Sequence, residues 1–169
     1  MTRYIALLRA VNVGGTGKLP MAGLKKMCAE AGFSRIETYI ASGNVVFESK
    51  GAPAKVQSEL ETRLFAYFGK ATVFVRTAAE MQGVLNANPF PEAESKHTYA
   101  FFLNAKPPHD ALDNVTGRAD EEMRLGQREI YVHYPSGMGQ SKLRIPAANQ
   151  GTARNMNTVA KLVAMSFRK

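Results

Sequence analysis

The chain of 169 residues contains one cysteine, no tryptophan and three histidines. With Cys28 alone, no internal disulfide framework and no multi-cysteine metal site can form. His97, His109 and His133 are far apart and lack the spacing of histidine metal ligands, so no metal is expected. No G-x-S-x-G elbow occurs, which removes the commonest serine-nucleophile signature. No apolar run reaches the roughly 20 residues that cross a bilayer, and the opening residues lack a signal-peptide cleavage pattern. A cytoplasmic protein with no membrane partner is the expectation. Acid is absent from residues 130–169, which carry six lysines and arginines.

That absence shapes the charge. The net charge is +8. Residues 1–36 carry +5, residues 37–129 carry −3, and residues 130–169 carry +6. Both ends of the chain are basic, and if they meet they form a positive patch suited to an anionic partner.

Hydrophobic periodicity orders the chain. "YIALLRAV" (4–11) is a short continuous apolar run that suits a strand buried on both faces. Residues 19–33 place Met21, Leu24, Met27, Cys28 and Ala31 at helical spacing, with Gly32 as the stop. On that stripe Cys28 reads as a core residue rather than a nucleophile. Residues 36–41 and 45–49 read as two strands joined by Ser42-Gly43-Asn44. Residues 53–69 read as a helix with Val56, Leu60, Leu64 and Phe68 inward, and 72–76 as a strand. This β-α-β-β-α-β order is the split, ferredoxin-like arrangement. The rest restarts the pattern. A helix is predicted over 77–90, capped by Thr77 and Glu80, then a strand over 98–104 and a short helix over 108–115. A hairpin over 121–135 turns at Gly126-Gln127, and a final helix over 155–167 points Val159, Leu162, Val163 and Phe167 inward.

The fold expected is therefore α+β. Two ferredoxin-like halves pack together, residues 1–76 and 77–169, the second incomplete by one strand. No letter-by-letter repeat accompanies the repeated element order. Neither face of the first strand, Tyr4-Ala6-Leu8 or Ile5-Leu7-Arg9, reads as exposed, which argues against an open RNA-binding sheet.

Three polar stretches remain. "VNVGGTGK" (11–18) has the composition of a phosphate loop, but Asn12 stands where a Walker A motif needs its first glycine, and Leu19 where it needs a hydroxyl. What remains is a glycine turn with Lys18 before a helix N-terminus, a setting that favours anions. In the split fold, strand 1 lies antiparallel to strand 3, so the end of strand 1 and the Ser42-Gly43-Asn44 turn share one sheet edge. The third stretch, residues 137–162, has loop glycines, Ser141-Lys142, and then Arg154, Asn155, Asn157 and Thr158 at a helix start. A cation there opposes the helix dipole and asks for an anion. Asp120, Glu121 and Glu122 read as a solvated face.

Together, "YIALLRAVNVGGTGKLPMAGLKKMCAEAGF", "TYIASGNVVF", "NPF" and "SKL…GTARNMNTVAKL" resemble a bacterial family called domain of unknown function 1697, in motif order over nearly the whole chain. The resemblance implies the two-half α+β fold and supplies no activity or cofactor. The family's recurrent positions match at Asn12, Gly14, Gly15, Lys18, Pro20, Ser42, Gly43, Asn44, Ser141, Lys142, Arg154, Asn155, Asn157 and Thr158. Met156 departs from the tryptophan of many relatives, and residues 142–154 lack a longer helix of other members.

The function expected is binding of an anionic ligand, a nucleotide or nucleic-acid phosphate, at a polar basic rim. Asn12, Gly14, Gly15, Lys18, Ser42, Asn44, Lys142, Arg154 and Asn157 would form that rim. Two alternatives stand beside it. One is an enzyme using the same rim. The other is an interaction module whose motif residues are structural.

Overall fold

In the computed structural model, residues 1–9, 19–39, 43–69 and 72–168 are described. Contacts divide the chain into two units, Met1–Gln82 with Leu162–Lys169, and Gly83–Lys161.

The first unit is built on a four-stranded antiparallel sheet. Its strands are β1 (Thr2–Leu8), β2 (Ser34–Thr38), β3 (Asn44–Ser49) and β4 (Val73–Thr77), in the order β2-β3-β1-β4. Helices α1 (Met21–Glu30) and α2 (Pro53–Phe68) form the crossovers. Tyr4, Ala6 and Leu8 share a core with Leu24 and Cys28 of α1 and Val56, Leu60 and Leu64 of α2. Leu24 and Cys28 of the α1 stripe and Val56, Leu60 and Leu64 of the α2 stripe thus account for the helices' burial, while the side chain of Phe68 lies outside the described residues. Truncating one of these leucines costs about 2–5 kcal/mol by lost transfer energy and the cavity left behind. Burial runs without a break from Tyr4 to Leu8, as the continuous apolar run requires. Gly69 ends α2 in the left-handed region at φ 76°, a conformation glycine adopts without a Cβ penalty. Leu7 pairs with Asn44, so the end of β1 does lie beside the start of β3.

The second unit repeats the strand order. Its strands are β5 (Thr98–Phe102), β6 (Glu122–Leu125), β7 (Glu129–His133) and β8 (Thr152–Asn155), in the order β6-β7-β5-β8 and antiparallel throughout. The expected β6–β7 hairpin forms, but its tip is Gln127 and Arg128 rather than Gly126 and Gln127, because Gly126 N–H donates to the Glu129 carbonyl at 2.7 Å. The helices differ. α3 (Ala78–Asn86) precedes the sheet and α4 (Met156–Ser166) follows it, the boundary between the units falling within each of these helices, while turns and short 3-10 segments occupy the crossovers. Leu112 and Val115 from one crossover, and Leu143, Ile145 and Ala148 from the other, pack with Met123, Ile130 and Val132.

Four expectations are corrected here. The fourth strand is not missing: β8 pairs with β5, Arg154 opposite Ala100. Residues 108–115 form turns rather than a helix, because the chain there is tied to a distant strand-like segment, Thr116 and Arg144 exchanging backbone hydrogen bonds of 3.1 and 2.8 Å. Phe167 lies past the end of α4 and is exposed, whereas Val159, Leu162 and Val163 are buried. The helix over 77–90 is also shorter than expected, since Asn88 precedes Pro89 and is held in a turn by its own Oδ1, which accepts from Phe90 N–H.

Each sheet ends in the same device. Arg76 of β4 lies opposite Ile5 and donates to the Val75 carbonyl. Thr77 then caps α3, its hydroxyl accepting from Glu80 N–H while Glu80 Oε1 accepts from Thr77 N–H. In β8, Arg154 donates to the Ala153 carbonyl, and Asn155 Oδ1 then accepts from Thr158 N–H at the start of α4.

Candidate functional site

Of the nine residues expected at the rim, Asn12, Gly14, Gly15, Lys18 and Ser42 lie outside the described residues. Four remain. Asn44 belongs to the first unit, and Lys142, Arg154 and Asn157 to the second.

Asn44 is fully buried at the start of β3. Its Nδ2 donates to the Tyr39 carbonyl at 2.8 Å, and its own carbonyl accepts from Tyr39 N–H at 3.0 Å. Side chain and backbone of Asn44 together hold Tyr39, the residue after β2, to the start of β3. A buried amide must be satisfied in this way or cost free energy.

Arg154 is also buried, with 6% of its surface exposed. Its Nη1 donates to Thr152 Oγ1 at 2.8 Å and to the Ala153 carbonyl at 2.9 Å. Removal from water disfavours the charged guanidinium and brings its pKa down to about 10. The sequence suggested a cation set against a helix dipole. The structure seats it in β8 instead, before the capping Asn155, with its guanidinium turned back along the strand. Asn157 is exposed on the first turn of α4.

Lys142 is exposed and lines a cleft of about 390 Å³. Its walls are two loop segments, Gly117 to Glu121 and Ser136 to Lys142. Arg154 and Asn157 are not among the described lining residues. The two walls approach closely. Gly117 has φ 71°, and a Cβ placed there would lie 2.0 Å from the Lys142 carbonyl oxygen. Only glycine allows that approach.

One wall ends at Glu121, which the sequence placed on a solvated face. That expectation is corrected: Glu121 is 3% exposed, while Asp120 and Glu122 are exposed. The Ser141 hydroxyl donates to Glu121 Oε2, and Ala119 N–H donates to Oε1 at 2.6 Å. Ser141 Oγ in turn accepts from Leu143 N–H at 3.0 Å. These donors, the Ser141 hydroxyl first, hold the Glu121 carboxyl below the ordinary carboxylate value. Arg118 Nε donates to the Glu121 carbonyl at 2.8 Å. At the rim, the Ser136 hydroxyl donates to Asp120 Oδ2 at 2.6 Å.

Chemically this is a prearranged polar cleft. An ammonium, two carboxylates and two hydroxyls are held by a loop pair that hydrogen bonds to itself. The Ser141 hydroxyl donates to a Glu121 carboxyl held below its ordinary value, an arrangement that favours the ionised carboxylate. Cys28 is fully buried, and burial pushes its thiol up to about 12, as suits a core residue. Among the described residues, no group of three histidines, cysteines or carboxylates is placed to hold a metal ion.

The structure of a conserved bacterial protein, SP0830 from Streptococcus pneumoniae, is similar over 98% of each chain, with a TM-score of 0.81 and 25% sequence identity. Among curated proteins the sequence finds no match. The family model described as "Protein of unknown function (DUF1697)" matches residues 1–131. The chain belongs to the DUF1697 family.

Proposed function

We propose that this protein binds a phosphate-bearing anion, and that the cleft of residues 117–121 and 136–142 is the binding surface of its second unit. The observation that carries this reading is the placement of Lys142, an exposed motif cation lining a cleft whose walls are already fixed. A ligand entering a prearranged site does not have to order its partners, and less of the interaction energy is lost. The +8 net charge draws anions toward such a surface.

In this reading Lys142 meets the phosphate. Asn157, exposed on the first turn of α4, is a further surface donor. Arg154 and Asn44 hold strand ends in place and do not touch ligand. Asn12, Gly14, Gly15, Lys18 and Ser42 stay in the proposal on sequence grounds alone, as an amide-rich turn with one cation. The ligand class is a nucleotide or other phosphate ester, and the single thiol, Cys28, suits a reducing compartment such as the cytoplasm.

A second reading is favoured by one observation. Asn44 is fully buried and satisfied by the Tyr39 backbone. If every motif residue is used in this way, the motifs maintain the fold and the function lies in a protein interface.

A thermal-shift panel separates the two readings. Nucleotides, phosphate esters and short RNA are tested at two salt concentrations against wild type and Lys142→Met. The anion reading expects stabilisation of wild type that weakens with salt and is absent in Lys142→Met. A panel in which nothing stabilises wild type, or in which Lys142→Met responds equally, overturns it.

A further inference from the structure

The cleft around Lys142 is not simply basic, and its carboxylates constrain what it can hold. Asp120 and Glu121 line the same walls as Lys142. Glu121 is buried and its two oxygens already accept from Ser141 and Ala119. Asp120 is exposed, and one of its oxygens accepts from Ser136. A carboxylate offers about four lone-pair directions, so Asp120 retains capacity for further donors. Gln140 adds an exposed amide on the wall beside Lys142.

A bare phosphate placed at Lys142 would share the cleft with two carboxylates, which offsets part of the attraction of one ammonium. A cation alone would meet Lys142, with Arg118 close behind Glu121. The arrangement is matched by a molecule that brings an anion to one end and neutral hydrogen-bond donors to the other. Hydroxyl groups are such donors, and carboxylates are strong acceptors for them. The cleft volume of about 390 Å³ admits a molecule of a few carbons plus a phosphate.

Resting on the anion-binding reading above, we infer that the cleft takes a phosphorylated polyol, its phosphate on Lys142 and its hydroxyls donating to Asp120. Sugar phosphates and the ribose phosphate of a nucleotide share this chemistry. The buried Ser141–Glu121 pair joins the two walls, and Asp120 keeps one oxygen free of the Ser136 bond.

Titration calorimetry with glycerol 3-phosphate and with propyl phosphate tests this, because the second lacks the hydroxyls and keeps the phosphate. The proteins are wild type, Asp120→Ala, Ser136→Ala and Lys142→Met. Wild type is expected to bind glycerol 3-phosphate about tenfold more tightly than propyl phosphate, the scale of a hydrogen bond to a charged acceptor. That ratio should fall to about one in Asp120→Ala and persist in Ser136→Ala, which keeps the carboxylate. Equal affinities in wild type, or a ratio unchanged by Asp120→Ala, overturn the polyol inference and leave anion binding standing. Failure of both phosphates to bind wild type, or undiminished binding by Lys142→Met, overturns anion binding itself and this inference with it.

Discussion

The Ser141 hydroxyl donates to the carboxylate of Glu121, 20 residues earlier in the chain, and so joins the two loops that wall the cleft. One side of this bond comes from Ser141, next to Lys142 in the polar stretch singled out in the sequence. The other comes from an acid that nothing in its own neighbourhood marks as special. The pair fixes the backbone from which Lys142 projects.

Ser141→Ala removes a donor from a buried carboxylate. The expected loss is about 1.5–3 kcal/mol, the range for hydrogen bonds to charged groups, measured by urea unfolding at neutral pH. The pH dependence follows the lowered pKa of Glu121. A carboxyl whose folded pKa lies below its unfolded value stabilises the fold above the ordinary value of 4.5, and that contribution is lost as pH falls through the folded pKa. Wild type should therefore lose stability below pH 4.5 more steeply than Glu121→Gln does. Parallel acid limbs in the two proteins would contradict this role for Glu121.

Gly117→Ala sets a methyl group against the Lys142 carbonyl and forces alanine into positive φ. Strain of this kind costs about 1–3 kcal/mol. A thermal midpoint lowered by several degrees is expected, together with loss of any phosphate-dependent stabilisation. An unchanged midpoint would mean that the loops can separate freely.

Arg154 is expected to act through packing and hydrogen bonds. Arg154→Ala leaves a cavity and deprives Thr152 of its partner, a loss of about 2–4 kcal/mol. Arg154→Met fills the volume without a buried charge and should lose less, since the desolvated guanidinium, its pKa lowered to about 10, already costs stability at neutral pH. Phosphate binding should persist in Arg154→Met. If Met abolishes binding while folding normally, Arg154 touches the ligand.

How much of this was legible in the sequence depends on how local each cause is. The Thr77–Glu80 capping box was readable because both partners lie within one turn. The stripes of α1 and α2 were readable because one helix face meets one core. β8 was not. It is four residues long, and the side chains that it buries, Thr152 and Arg154, are polar. That pattern reads as a loop until pairing with β5 supplies the reason. Residues 108–115 carry Ala111, Leu112 and Val115 at roughly helical spacing, yet a bridge from Thr116 to Arg144 draws the chain into turns. Glu121 was misread for the same reason. Its partner Ser141 lies 20 residues away, and a run of three acids gives no hint of it.

The most direct test is a backbone amide NMR titration of wild type with propyl phosphate, followed residue by residue. The account predicts that the largest shift changes fall on Gly117 to Glu121 and Ser136 to Lys142, and that they vanish in Lys142→Met. Changes concentrated elsewhere in the chain, or no changes at millimolar phosphate ester, would contradict it.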